Sequence, residues 1–110
     1  MPRNLGEFEQ LILFAVLRLG EGAYGVTIRQ EIEANTGRET SAGAVYTSLE
    51  RLEKRGLVSS SFGEPSPERG GKRKKFYRLE EAGAELLDRS YSAVRNMAAG
   101  QTDKLKDMLK

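Results

Sequence analysis

The sequence contains no cysteine and no histidine. Without cysteine there is no disulfide framework and no thiolate nucleophile. Without either residue, a zinc site and a Ser-His or Cys-His nucleophile are excluded. Neither a G-x-S-x-G elbow nor a phosphate-binding P-loop occurs. Glu80 and Glu81 are paired carboxylates, but they sit where a helix starts, and negative charge is favoured there without any catalytic role. The run Leu11–Leu17 is apolar throughout, yet its seven residues fall far short of the roughly 20 that a helix needs to span a bilayer. Glu7 and Glu9 precede that run, where a signal peptide would carry positive charge. The expectation is a cytosolic, non-enzymatic protein with no cofactor, no metal site and no membrane contact.

What is present is one domain's worth of chain, 110 residues with 31% charged and 38% hydrophobic residues. The net charge is only +2, so the distribution of charge is more informative than its sum. The most organised stretch is Ser41–Gly56. Ser41 is a good N-cap, because its hydroxyl can accept from an unpaired amide of the first turn. Gly56 is a good stop, because glycine takes the left-handed conformation at little cost. Between them Val45, Leu49 and Leu52 recur at spacings of four and three and share one face, which should be buried. Gly43, Tyr46, Thr47, Glu50 and Lys54 occupy the opposite face. The first turn is small and polar, Ser41-Ala42-Gly43-Ala44. A helix that is bulky on one side and small at its exposed tip can enter a groove.

The remainder reads as a frame for this helix. Residues 1–6 look like a mobile arm. Glu7–Leu19 reads as a first helix closed by Gly20, with Phe8, Leu11, Ile12, Ala15 and Leu19 on one stripe and Phe14, Val16 and Leu17 elsewhere on the cylinder. A helix apolar nearly all round is buried on more than one side; either it meets a second subunit or it is the central core helix. Glu21–Ala23 reads as a turn and Tyr24–Thr36 as a second helix, ended by Gly37. Only Arg38, Glu39 and Thr40 then separate it from Ser41, the spacing of a helix-turn-helix. Leu57–Phe62 and Lys74–Leu79 are strand candidates around a Pro- and Gly-rich tip, with Tyr77 and Leu79 on one face and Phe76 and Arg78 on the other. Arg69, Lys72, Arg73, Lys74, Lys75 and Arg78 fall here with no acidic residue among them. Such a hairpin is either a wing that displaces counterions from phosphates or a solvated basic loop. Glu80–Lys110 reads as a long helix, with Gly83 and Gly100 as places for an interruption. Leu87, Tyr91, Val94, Ala98, Gln101, Leu105 and Met108 follow a heptad seam. A tail of this length cannot bury such a stripe on its own domain, so pairing with a second copy is the favoured reading.

The expected fold is mainly α with a small β-hairpin. It is a winged helix-turn-helix over residues 1–79, followed by a C-terminal dimerisation helix over 80–110. The wording of the sequence goes further. Ala23-Tyr24-Gly25, Gly43-Ala44-Val45-Tyr46, Arg51-Leu52-Glu53, Gly56-Leu57-Val58, Gly70-Gly71-Lys72-Arg73, Phe76-Tyr77-Arg78-Leu79 and Ala82-Gly83 together closely resemble the PadR family of winged-helix transcriptional regulators. The likeness covers about residues 7–90, and the single tail helix is similar to the short branch of that family. Ala42 departs from the pattern, since many relatives carry proline there.

The resemblance implies a homodimer, mostly acting as a repressor, that reads an inverted repeat in double-stranded DNA with half-sites about 34 Å apart. It implies that Tyr46 contacts the phosphate backbone and that Ser41, Ala42 and Gly43 lie against base edges. Tyr24 and Gly25 would stand where a helix N-terminus can hold a phosphate. Thr47 and Arg51 are neighbours of the backbone, and Lys72, Arg73, Lys74 and Lys75 form the wing. Tyr46 and Tyr24 have packing readings as well. Phe8, Leu11, Leu87, Tyr91, Val94, Ala98, Leu105 and Met108 would form the dimer interface. A small aromatic effector between subunits would sit beside Phe8, Leu11, Phe14, Tyr91 and Val94; the same residues can equally fill a closed interface. The competing class is a winged-helix module that binds protein rather than DNA.

Overall fold

The structure, a computed structural model, describes residues 3–65 and 73–110. Helix α1 (Glu7–Leu19) runs through the middle of the domain. Most of its apolar surface is used: Ile12, Leu13, Ala15 and Val16 are buried, Leu17 stays exposed, and the helix touches α2 (Gly25–Thr36), α3 (Ala42–Lys54), the hairpin and α4 (Glu81–Ala98). Both expected ends hold. Gly20 takes a positive φ of 57°, and a short 3-10 turn, Gly20–Gly22, follows.

The hairpin consists of β1 (Val58–Pro65) and β2 (Arg73–Leu79), antiparallel, with Val58 opposite Leu79, Ser60 opposite Tyr77 and Ser61 opposite Phe76. The expected faces follow the strand period of two. Val58 and Tyr77 are buried and Arg78 is exposed. The end of the turn and the residue after it are joined to the hairpin. The Tyr77 N–H donates to the Ala23 carbonyl at 2.8 Å, and Tyr24 forms an isolated bridge with Phe76. The start of α2 is thereby fixed to the hairpin. Thr27 reinforces that start: its hydroxyl accepts from the Tyr24 N–H at 3.0 Å and donates to the Gly22 carbonyl at 2.6 Å. Tyr24 is thus the residue before α2 rather than its first member.

Helix α3 has the expected ends. The Ser41 hydroxyl accepts from the Ala44 N–H at 3.0 Å, and Gly56 closes the helix with φ +74°. Val45, Leu49 and Leu52 are fully buried.

Three expectations need correction: the mobile arm, an interruption at Gly83 and Leu87 on an open seam. In the arm, Leu5 is anchored: it is only 4% exposed, and its N–H donates to the buried Ser90 hydroxyl at 2.9 Å, while Arg3, Asn4 and Gly6 are exposed. The tail is interrupted at one of its two candidate glycines: α4 and a short α5 (Thr102–Met108) meet at Gly100, φ +76°. Gly83 does not interrupt α4. A β-carbon there would lie 2.1 Å from the Leu57 carbonyl oxygen, so glycine lets the first turn rest on the α3–β1 junction. Leu87, expected on a seam open to a second subunit, is 4% exposed in the single chain. The first turns of α4 lie on α1, so Leu86, Leu87 and Ser90 close the chain's own core. No helix among the described residues is long and apolar enough to cross a membrane.

Candidate nucleic-acid interface

The tip of α3 is open. Ser41, Ala42 and Gly43 are exposed. A β-carbon on Gly43 would meet nothing closer than the Ser41 hydroxyl at 4.0 Å, so nothing among the described residues requires its small size. Thr47, Glu50, Arg51 and Lys54 are exposed further along the helix.

Tyr46 serves both of its readings. It is 42% exposed, yet its ring lies over the first residue of α2. A β-carbon on the buried Gly25 would come within 2.4 Å of the Tyr46 hydroxyl oxygen. Gly25 is therefore needed to admit the Tyr46 ring, a reason independent of any phosphate. Tyr24, half-buried, meets Phe76 edge-on with ring centres 5.4 Å apart. The Lys74 ammonium stands 4.7 Å from the Tyr24 ring centre, within cation–π range. Tyr46, Gly25, Tyr24 and Lys74 thus form one connected strip leading from α3 across the start of α2 to the hairpin.

The expected wing cations divide by strand alternation. Lys74 points to Tyr24, whereas Lys75 on the other face reaches the Glu53 carboxylate of α3 at 3.5 Å. The Ser60 hydroxyl donates to the other Glu53 oxygen at 2.5 Å. Lys75 also stands near the Tyr77 ring. Burial pushes the Tyr77 phenol up, against the opposing pull of Lys75. Arg73 is exposed, donates to the Gly63 carbonyl at 2.9 Å and covers the Phe62 ring. Lys72 lies outside the described residues.

Sequence reasoning missed three participants here. Phe76 and Glu53 each hold an expected site residue in place. Arg29 of α2 shares with Glu33, Glu39, Thr40 and Ser41 a polar cleft of about 450 Å³ beside the α3 tip. The strand alternation was readable for Phe76. Nothing in the sequence pointed to Arg29 or to the Glu53 pairing.

Among the expected interface residues, Phe8, Leu11 and Phe14 are partly buried against the core. Phe14 meets Tyr91 edge-on at 5.4 Å. Tyr91 and Val94 are exposed, Ala98 is half-buried, and Leu105 and Met108 lie exposed beyond the break.

Comparison with known proteins bears on the family and the fold. The profile of the Transcriptional regulator PadR-like family matches residues 13–89. A PadR family transcription regulator from Clostridium difficile is 23% identical with a TM-score of 0.69, over 91% of this chain and 99% of that one. A transcriptional regulator from Clostridium thermocellum is 21% identical with a TM-score of 0.69, over 93% and 92%. A PadR-like transcriptional regulator from Bacillus cereus is 20% identical with a TM-score of 0.66, over 94% and 91%. These likenesses are of fold. No curated protein sequence matches the chain. With a winged helix-turn-helix architecture, and a family profile that spans most of the chain, this protein belongs to the PadR-like family of transcriptional regulators.

Proposed function

We propose that this protein is a sequence-specific transcriptional repressor that binds an inverted repeat in double-stranded DNA as a homodimer. The single observation that carries the reading is the connected strip from the small, open α3 tip through Tyr46 and Tyr24 to Lys74. Ser41, Ala42 and Gly43 allow close approach to base edges. Tyr46, Thr47, Arg51 and Lys74 offer hydroxyls and cations to the phosphates on either side, while the exposed Arg73, on the Lys75 face over Phe62, adds positive charge near the hairpin tip. The α2 start, at Tyr24 and Gly25, lies directly beneath the Tyr46 ring, so its dipole adds favourable potential for an anion held near Tyr46.

The exposed apolar side chains of α4, Tyr91, Val94 and Met97, support a second copy as the occupant of that face. Pairing would set two α3 helices about one turn of duplex apart. The reading includes release by a small aromatic compound seated between subunits beside Phe8, Leu11, Phe14, Tyr91 and Val94. The edge-on Phe14–Tyr91 pair, with Tyr91 still open, supports that site.

A gel shift at about 150 mM salt with excess non-specific competitor tests the reading, because electrostatic binding is exaggerated at lower salt. A retarded band on a duplex selected by the protein from a random library, surviving competitor, is expected. A band that competitor removes entirely assigns the fold to protein binding instead. A panel of small aromatic compounds that never releases the band removes the effector from the reading.

A further inference from the structure

Both ends of α3 are fastened to the first turn of α1. Ahead of the helix, in the turn that follows α2, the Arg38 guanidinium donates to a Glu7 carboxylate oxygen at 2.5 Å and lies 5.2 Å from the Phe8 ring centre. Just past the helix, Arg55 reaches a Glu9 oxygen at 3.6 Å. The other Glu9 oxygen accepts from the Gly6 N–H at 2.8 Å and pairs with Arg3 at 3.3 Å. Burial pushes the Glu9 carboxyl up, but the Gly6 N–H, Arg3 and Arg55 outweigh it and hold the group below the ordinary glutamate value.

Carboxylates in a first helical turn need no special reason, since the helix dipole favours them. The dipole does not explain why the two arginines flanking α3 converge on the same turn. Arginines on either side of a recognition helix would ordinarily be assigned to phosphates; here each is turned to a carboxylate on the first helix. We propose that Glu7 and Glu9 are positioning residues for DNA recognition. They hold Arg38 and Arg55, and through them set the angle at which α3 presents Ser41–Gly43. The inference rests on the DNA-binding reading given above.

The sign of the effect separates positioning from bulk charge. Neutralising an acidic residue on a DNA-binding protein should by itself tighten binding to any duplex. Loss of the clamp weakens binding to the specific site alone. Glu9→Gln, Glu7→Gln and the double variant are made in the full chain. Their affinities are measured for the selected duplex and for an unrelated one, over a range of salt. Glutamine at position 9 still accepts from the Gly6 N–H, so the start of α1 is kept. The Glu9 side chain is 18% exposed and that of Glu7 80%, and exposed pairs contribute little. Glu9→Gln should therefore lower specific affinity by about threefold to fivefold and Glu7→Gln by about twofold, scaled on typical ion-pair strengths. Non-specific affinity should stay constant or rise, and Arg38→Met and Arg55→Met should leave the salt slope unchanged. Specific and non-specific affinity rising together would overturn the proposal. So would a slope reduced by about one in Arg55→Met, since that places Arg55 on a phosphate.

If the unaltered protein shows no preference for any duplex, the DNA reading fails by itself. The clamp is then judged by amide hydrogen exchange in the free protein. The double variant should speed exchange at residues 38–44 and 54–57 relative to β2. Unchanged exchange there would overturn the clamp.

Discussion

Tyr46 and the buried Gly25 are fitted to each other. A β-carbon at residue 25 would run into the Tyr46 ring end at 2.4 Å, so Gly25→Ala should push the ring out of place. The expected cost is about 1–3 kcal/mol, the usual range for overpacking. Tyr46→Ala in the same chain should recover part of that loss, and thermal melts of the single and double variants measure it. Tyr46→Ala alone should weaken binding to every duplex alike; unchanged affinity would leave Tyr46 with a packing role only. The wing cations invite a parallel comparison. Lys74 lies on the strip with Tyr24, while Lys75 is engaged by Glu53. Lys74→Met should lower the salt slope of binding by about one, and Lys75→Met should leave it nearly unchanged. Equal slopes for both variants would contradict the division of the two lysines by strand face.

Glu9 adds a pH dependence of definite sign. Its carboxyl is held below the ordinary glutamate value in the folded chain. It therefore contributes stability that is fully present above the unfolded value of about 4.3 and is lost as pH falls through the lower folded value. Urea midpoints measured between pH 3 and 6, about the carboxylate range, should decline less steeply for Glu9→Gln than for the unaltered protein. Parallel declines would show that Glu9 contributes nothing to the acid limb.

At the scale of elements, the ends of α3 were legible because local chemistry determines them. Ser41 caps, Gly56 stops, and Val45, Leu49 and Leu52 mark the buried face. The hairpin faces were legible for the same reason, through the alternation of Tyr77 with Phe76 and Arg78. What escaped was set by distant partners. Leu5 is fixed by Ser90, 85 residues away, and no local pattern records that. A single bridge at Tyr24 is too short to show a strand period. The heptad spacing on the tail was real, but spacing does not say which of its members close the chain's own core. Leu87 does so, and Gly100 then breaks the seam.

That correction changes how the tail must be tested. Cutting the chain after Gly83 removes Leu86 and Leu87 from the core and should unfold the domain rather than yield a folded monomer. Val94→Asp is the informative change, because Val94 is 60% exposed and its replacement leaves the core intact. Light scattering with circular dichroism should show a folded monomer. A folded dimer would move the interface off this face of α4.

For the whole molecule, the parts form a frame around one helix. The central α1 supports α3 along its buried face, and Glu7 and Glu9 secure the residues at both ends. The Ala23–Tyr24 segment ties the start of α2 to the hairpin, so the α3 tip, the α2 N-terminus and Lys74 keep a fixed relation. Two such frames joined through α4 would present two tips to one side of a duplex. Selection of bound duplexes from a random DNA library at about 150 mM salt tests this most directly. Enrichment of an inverted repeat, with half-site centres about 10 base pairs apart, is the predicted result. A folded, dimeric protein that enriches no sequence would contradict it.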